Sequence, residues 1–184
     1  ISTDLRTDKM VANQAQKAHI KLNQFNTTFT YRGKTWLNLY KTYVKPSMMY
    51  ACEVWRPTTK EAIDKLESVQ RRAFKMAGGL TDRNYYKDAC RKAGLNSIKE
   101  ELDKADLMRT FRILNGDDKV EKTTFRKMAE ARPGLGRRRF KEKEIQRTVA
   151  LQRKDVRKKS FSSRVHDPWN LLEDEVKRSR NPKA

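Results

Sequence analysis

The stretch that decides the fold is LYKTYVKPSMMYACEVWRPTTKEAIDKLESVQRRAFKM, residues 39–76. Its first half is rich in aromatic and methionine side chains and predicts a helix that begins near Thr35 and ends at Trp55. Pro46 lies inside this helix, where it removes a backbone hydrogen bond and crowds the preceding turn at a cost of about 3 kcal/mol. We therefore expect a kink or a break there. The side chains expected to face a core are Trp36, Tyr40, Tyr43, Val44, Met48, Met49, Ala51, Cys52 and Trp55.

The second half of the stretch predicts a capped helix with a basic outer side. Thr58 and Glu61 have the spacing of a capping box, in which each side chain satisfies a free backbone amide. Gly78-Gly79 is typical of a helix end. The predicted buried stripe consists of Ile63, Leu66, Val69, Ala73 and Met76. Arg71, Arg72 and Lys75 lie off this stripe, next to Gln70, and are expected to face solvent.

Three more helices are predicted before Gly116. The first carries a stripe at steps of three and four residues, formed by Val11, Ala15, Ala18, Leu22, Phe25 and Phe29. A short helix is expected over residues 84–93. A second capping box, Ser97 to Glu100, opens a helix whose predicted buried side chains are Ile98, Leu102, Ala105, Met108 and Phe111. Because no segment alternates with a period of two, we predict an all-α fold.

Charge changes along the chain and suggests three parts. Residues 1–116 are predicted to form a helical bundle. Residues 122–164 contain sixteen Lys and Arg residues against four acids and few large apolar side chains. Such a segment cannot bury enough apolar surface to offset the entropy of ordering, so we expect residues 117–154 to be a mobile basic linker. Residues 155–184 are expected to return to helical structure, as a hairpin with one side covered by Val156, Phe161, Val165, Trp169, Leu172 and Val176.

The overall charge points to a polyanionic partner. The 184 residues carry a formal charge of +20 and have a pI near 10.1. Nucleic acid is the first expectation for such an excess and an anionic membrane surface the second. The apolar runs are far shorter than the roughly 20 residues needed to span a bilayer, so we expect no membrane partner.

Independent catalysis and metal binding are not predicted. Cys52 and Cys90, with His19 and His166, lack the short spacings of a zinc site, and we expect two reduced buried thiols. The adjacent aspartates at 117 and 118 follow Asn115-Gly116 without a flanking strand pattern, which is typical of a solvated turn. No Ser/His/Asp arrangement or nucleophile motif is present. No cofactor is therefore expected in this chain.

Four blocks carry a resemblance to one family. They are the stretch at 39–76, Ile1-Ser2-Thr3-Asp4-Leu5, Arg112-Ile113-Leu114-Asn115-Gly116, and Phe161-Ser162-Ser163-Arg164-Val165 with Trp169-Asn170. In content and order they resemble the region downstream of the palm in reverse transcriptases of non-LTR (LINE-type, jockey-like) retrotransposons. Ile1 in place of an initiator Met suggests an excerpt from a longer chain.

The resemblance implies a thumb and C-terminal region of an RNA-directed DNA polymerase. The family's palm uses an aromatic-Ala-Asp-Asp hairpin to hold Mg²⁺, and this sequence has no such hairpin, so no turnover is expected from this chain alone. The implied partners are template RNA, RNA–DNA hybrid and DNA, together with the palm and fingers of the parent polypeptide. The implied location is intracellular: nuclear, with a cytoplasmic ribonucleoprotein stage.

The candidate nucleic-acid contacts are basic and aromatic. Arg71, Arg72 and Lys75 would track phosphates. Tyr85 and Tyr86, beside Arg83, are the best stacking candidates. A second possible stacking platform consists of Trp36, Tyr40, Tyr43, Tyr50 and Trp55, but their helical spacing and apolar neighbours favour the core. The densest basic run would neutralise phosphates or serve as a nuclear-import signal; it contains Arg137, Arg138, Arg139, Lys141 and Lys143. Further candidate contacts are Arg157, Lys158 and Lys159.

Two other interpretations stay open. The chain could be a free-standing basic helical nucleic-acid-binding protein derived from such an element. It could also be a structural helical module whose charge serves solubility.

Overall fold

The computed structural model describes residues 7–78, 86–119 and 160–178. Every regular element within these ranges is helical, which confirms the predicted all-α fold. The chain divides into two compact units, residues 1–103 and 104–184. The predicted linker lies almost entirely outside the described residues, so the division into three parts stays a prediction.

In the first unit, α1 (Asp8–Thr28) packs mainly against α5 (Lys60–Met76). The predicted stripe of α1 is confirmed, because its first four members are buried and the last two are half-buried. The rings of Phe25 and Phe29 meet edge to face with centroids 5.8 Å apart. On α5, Leu66, Val69 and Ala73 are fully buried, as predicted.

The aromatic segment is built from α2 (Lys34–Leu39), a π-helical turn (Tyr40–Val44), α3 (Lys45–Met49) and α4 (Cys52–Trp55). Its buried side chains are Trp36, Tyr40, Val44, Met48, Cys52 and Trp55. Steps of four residues overshoot one α-helical turn by about 40°, so an uninterrupted α-helix would carry this stripe away from the core. The wider π-helical turn and the break after α3 correct that drift.

The π-helical turn also corrects two of our predictions. Its last residue is Val44, close before Pro46, whereas the chain leaves helical geometry only at Tyr50, with a ψ of 127°, and Ala51, with a φ of 53°. Pro46 occupies the first turn of α3, where its missing N–H costs little. The wider turn places Val44 inward and leaves Tyr43 57% exposed, so the expected core position of Tyr43 is wrong. Ala51 is exposed as well.

Both tryptophans of this segment are core residues, as predicted. Each is 1% exposed, and each indole N–H has a backbone acceptor, as a buried Trp requires. The Nε1 of Trp36 donates to the carbonyl oxygen of Ala73 on α5 over 3.0 Å. The Nε1 of Trp55 donates to the carbonyl oxygen of Tyr50 over 2.7 Å. Tyr50 itself is exposed, against our prediction.

Helix caps differ in how well they follow the sequence pattern. The Ser97–Glu100 box is confirmed: the Glu100 amide donates to Ser97 Oγ over 3.2 Å and Glu100 Oε2 accepts from the Ser97 amide over 2.9 Å. The Thr58–Glu61 box is wrong. The N-cap of α5 is Thr59, whose Oγ1 accepts from the Ala62 amide over 3.2 Å, because Lys60 is the first helical residue.

Helices α6 (Tyr86–Lys92) and α7 (Ile98–Asn115) follow, and charged side chains fasten the aromatic segment to them. Lys41 Nζ donates to the carbonyl oxygen of Ala93, just past α6, over 2.5 Å. Lys45 pairs with Glu101 at 2.9 Å. These cations serve the fold and are not available to a ligand.

The second unit contains the end of α7 and three short helices, α8 (Phe161–Arg164), α9 (His166–Asn170) and α10 (Asp174–Arg178). Its core consists of Phe111, Ile113, Val165 and Trp169, with Leu107, Leu114, Phe161 and Leu172 packed around it. Asp106 is buried and receives two hydrogen bonds from Arg164, at 2.8 and 3.0 Å. The inward positions predicted for Val165 and Trp169 are confirmed. Val176 is 46% exposed, so its expected inward position is wrong, and Val156 lies outside the described residues. Three short helices take the place of the expected hairpin.

Candidate nucleic-acid interface

The last two turns of α5 carry three cations, Arg71, Arg72 and Lys75, which we call the α5 basic ridge. Arg72 and Lys75 are exposed and Arg71 is half-buried, so the predicted outward orientation is confirmed. Residues 71–76 contain no acidic side chain. The ridge can therefore present positive charge to solvent without a carboxylate of its own segment competing for it.

Two of the three cations are held by neighbouring side chains. The Arg72 guanidinium donates to Asn23 Oδ1 on α1 over 2.8 Å. The Arg71 guanidinium carbon lies 5.7 Å from the ring centre of Tyr86, within the range of a cation–π contact. Such contacts reduce the rotamer freedom that a long cation loses when it binds a phosphate.

Tyr86 does not form part of an exposed stacking surface, which corrects our prediction. It is 7% exposed, and its ring meets Phe74 edge to face at 6.1 Å. Its hydroxyl donates to the buried carboxylate of Glu67. A base needs an open ring face, and Tyr86 has none in this arrangement. The position of Tyr86 at the start of α6 turns its side chain inward, and the sequence pattern did not show which side of this short helix would be buried.

A buried polar network lies beneath the ridge. Gln70 is 0% exposed, although it stands next to Arg71 in the sequence. Its side-chain oxygen accepts from the Tyr40 hydroxyl at 3.0 Å, and its nitrogen donates to Tyr86 at 2.8 Å and to the Asn96 carbonyl oxygen at 2.9 Å. Burial, helped by the nearby Glu67 carboxylate, raises the pKa of both tyrosines, so both hydroxyls stay protonated and can donate.

The network had a signal in the sequence that was missed. Gln70 follows Leu66 by four residues and precedes Ala73 by three, which places it on the buried stripe of α5. Its polar side chain suggested a surface position instead. A buried amide is acceptable here because the network satisfies both of its ends.

A groove between α1 and α3 was not predicted at all. It has a volume of about 670 Å³, and the side chains of Lys17, Ile20 and Lys21 from α1 face Pro46 and Tyr50 across it. Ile20 is 49% exposed and Tyr50 76% exposed. The only signal in the sequence was that Lys17 and Lys21 lie off the apolar stripe of α1.

The remaining predicted contacts lie outside the described residues. They are Arg83, Tyr85, Arg137, Arg138, Arg139, Lys141, Lys143, Arg157, Lys158 and Lys159. For these positions the predictions stand on sequence alone.

Metal-binding chemistry has no site in the part of the chain that the structure describes. No group of three or more His, Cys, Asp or Glu side chains there could hold an ion. Asp118 pairs with Arg109 at 3.2 Å, and the Asp117 amide closes the turn after α7 on the carbonyl oxygen of Arg112. The Mg²⁺ implied by the resemblance thus finds no fitting residues in these ranges, and we assign it no role in this chain.

Two further predictions concern thiols and membranes. Cys52 and Cys90 are both buried, as expected, and neither forms a disulfide. None of the described helices combines the length and apolar character that crossing a bilayer requires.

Comparisons of the chain with models of protein families, with curated proteins and with solved structures find no match.

Proposed function

We propose that this chain is a nucleic-acid-binding thumb and C-terminal region of a reverse transcriptase from a non-LTR retrotransposon. In this role it holds template RNA, RNA–DNA hybrid or target DNA for a palm encoded elsewhere in the parent polypeptide. The nuclear site of action, with a cytoplasmic ribonucleoprotein stage, belongs to the same proposal.

The observation that carries the proposal is the α5 basic ridge on a chain of charge +20. Arg71 and Arg72 sit on a rigid helix, and Lys75 lies one turn further on. A rigid row of cations suits a duplex backbone, whose phosphates are regularly spaced and carry no sequence information. The proposal therefore specifies binding without sequence preference and with strong dependence on salt.

The test is to replace Arg71, Arg72 and Lys75 together by Gln and to measure binding to a random-sequence RNA–DNA hybrid. Each lost phosphate contact lowers the slope of log K against log salt by about 0.9, so the slope should shrink by up to about 3. The control replaces three exposed lysines outside the ridge, Lys9, Lys60 and Lys104, by Gln, which removes the same charge.

Comparing the affinities of the ridge variant and the control variant shows whether binding depends on the ridge itself or on the overall positive charge. A larger loss in the ridge variant supports the proposal. Equal losses in both variants would mean that the ridge is ordinary solvated surface. Wild-type protein that ignores hybrid and duplex at about 50 mM salt would overturn the proposal and favour a structural module.

A free-standing nucleic-acid-binding protein is the second candidate, because the same ridge and the same charge serve it equally well. The parent reading frame separates the two. A palm motif upstream of Ile1 in that frame favours the polymerase, and a complete short frame without one favours the free-standing protein.

A further inference from the structure

The groove between α1 and α3 combines an exposed aromatic ring with two cations. Lys17, Lys21 and Gln24 come from α1, and Pro46 and Tyr50 come from the other wall. No acidic side chain is among the residues that line it. Its volume of about 670 Å³ falls within the roughly 300–1,000 Å³ of sites that hold small organic ligands.

Tyr50 is held in place by its backbone. Tyr50 has φ −56° and ψ 127°, and Ala51 has φ 53° and ψ 31°, angles close to the two central residues of a type II turn. That turn normally takes Gly at the second position, so Ala51 is strained. The buried Trp55 indole fixes the Tyr50 carbonyl oxygen over 2.7 Å. The turn therefore presents a large apolar ring to solvent from a rigid base.

We propose that this groove binds a single-stranded nucleic-acid segment, with one unpaired base stacked on Tyr50 and the flanking phosphates on Lys17 and Lys21. The proposal rests on the nucleic-acid-binding function proposed above and adds a second site to it, distinct from the α5 basic ridge. Aromatic stacking next to cations is the general means by which proteins hold single strands without reading sequence.

Charge excludes the other natural occupants. A second copy of this chain carries +20, and the chain's own basic segment at 122–164 carries +12, so both would be repelled by the two lysines. A regular duplex satisfies the lysines but offers no free base face to Tyr50. A polyanion with unpaired bases is the occupant that satisfies the ring and the cations together.

The test measures the full chain with a single-stranded 12-mer of thymidines and, in parallel, with a random duplex. Tyr50→Ala should weaken binding of the single strand about tenfold, since loss of a stacked base costs a factor of this order, and should leave the duplex unchanged. Tyr50→Phe should restore single-strand binding, because it keeps the ring. The control is Tyr31→Ala, which removes a 64% exposed ring outside the groove and should change neither affinity.

The two lysines allow an independent test of the groove. Lys17→Gln with Lys21→Gln should lower the salt slope for the single strand by about 1.4, from about 0.7 for each phosphate contact. With 5-iodouracil placed in the strand, ultraviolet cross-linking should attach the strand to Tyr50, as located by mass spectrometry.

The possible failures are distinguishable. If wild type binds single strand and duplex but Tyr50→Ala and the lysine variant match it on the single strand, the groove proposal falls and the proposed function survives. If wild type binds neither probe, both fall. If Tyr50→Ala changes the sedimentation of the protein alone, the groove is a contact between copies, and the single-strand assignment is wrong.

Discussion

At the scale of single residues, buried polar side chains around α5 link neighbouring helical elements through hydrogen bonds. Gln70 joins Tyr40 of the aromatic segment to Tyr86 of α6 through one amide. Because Gln70 is buried, removal of the Tyr40 hydroxyl would leave its side-chain oxygen without this partner. Tyr86, which was expected to stack on a base, thus helps to specify the core together with Gln70.

His19 supports a prediction about pH. It lies on α1 with its Nε2 3.4 Å from Ser68 Oγ of α5, and its Nδ1 is buried without a hydrogen-bond partner among the described residues. Burial, and secondly the positive charge of Arg72, lower the pKa of His19 below 6.5. The unfolded chain therefore takes up this proton first as pH falls, so the free energy of unfolding drops once pH falls below about 6.5.

The urea midpoint of unfolding at pH 7.5 and at pH 5.5 checks this. The wild type should lose more stability between the two pH values than His19→Gln does. The control variant His166→Gln, in the second unit, keeps His19. Its stability should therefore still show the loss between pH 7.5 and pH 5.5 that His19 contributes. Equal losses in wild type and His19→Gln would contradict the assignment.

At the scale of elements, the start of α5 distinguishes a real cap from a sequence pattern. Thr59 Oγ1 accepts from the Ala62 amide, whereas Thr58 precedes the N-cap and is exposed. Thr59→Ala should lower the free energy of unfolding by about 1 kcal/mol, as loss of an N-cap does. Thr58→Ala should change it by less than about 0.5 kcal/mol. Urea titrations of both variants decide, and a larger effect at Thr58 would restore the capping box rejected above.

At the scale of the whole molecule, fold and binding should depend on different residues. Arg137, Arg138 and Arg139 lie in the most basic stretch of the sequence. Changing all three to Gln should lower affinity for duplex and reduce the salt slope by up to about 3. The melting temperature should stay close to that of wild type, because charge in a stretch with few large apolar residues contributes little to a core.

Trp55→Ala should have the opposite signature to that triple variant, because it should lower the stability of the fold. Trp55 is 1% exposed and its indole fixes the Tyr50 turn, so its loss should cost about 3–5 kcal/mol. Circular dichroism melting and duplex titration of both variants separate the two roles. A triple-Gln variant with wild-type affinity would mean that the arginines are an import signal or solvated surface.

The features that depend on local spacing were predictable from the amino-acid sequence. The stripe of α1 from Val11 to Leu22 and the Ser97–Glu100 box follow from helical periodicity and from side chains bonding within one turn. The buried positions of Trp36 and Trp55 follow from their large apolar area. These features depend on residues close together in the sequence or on side chains with a strong tendency to be buried. They can therefore be predicted from a single sequence.

The features that depend on helical phase and on neighbours distant in sequence required the folded structure. The π-helical turn turned Tyr43 outward, and a shift of one residue at a helix entrance moved the cap from Thr58 to Thr59. Tyr86 is a core residue, and its hydroxyl donates a hydrogen bond to the carboxylate of Glu67, nineteen residues away in the sequence. The groove exists because α1, which ends at Thr28, and α3, which begins at Lys45, approach each other. Periodicity specifies which residues share a face, whereas packing decides what that face meets.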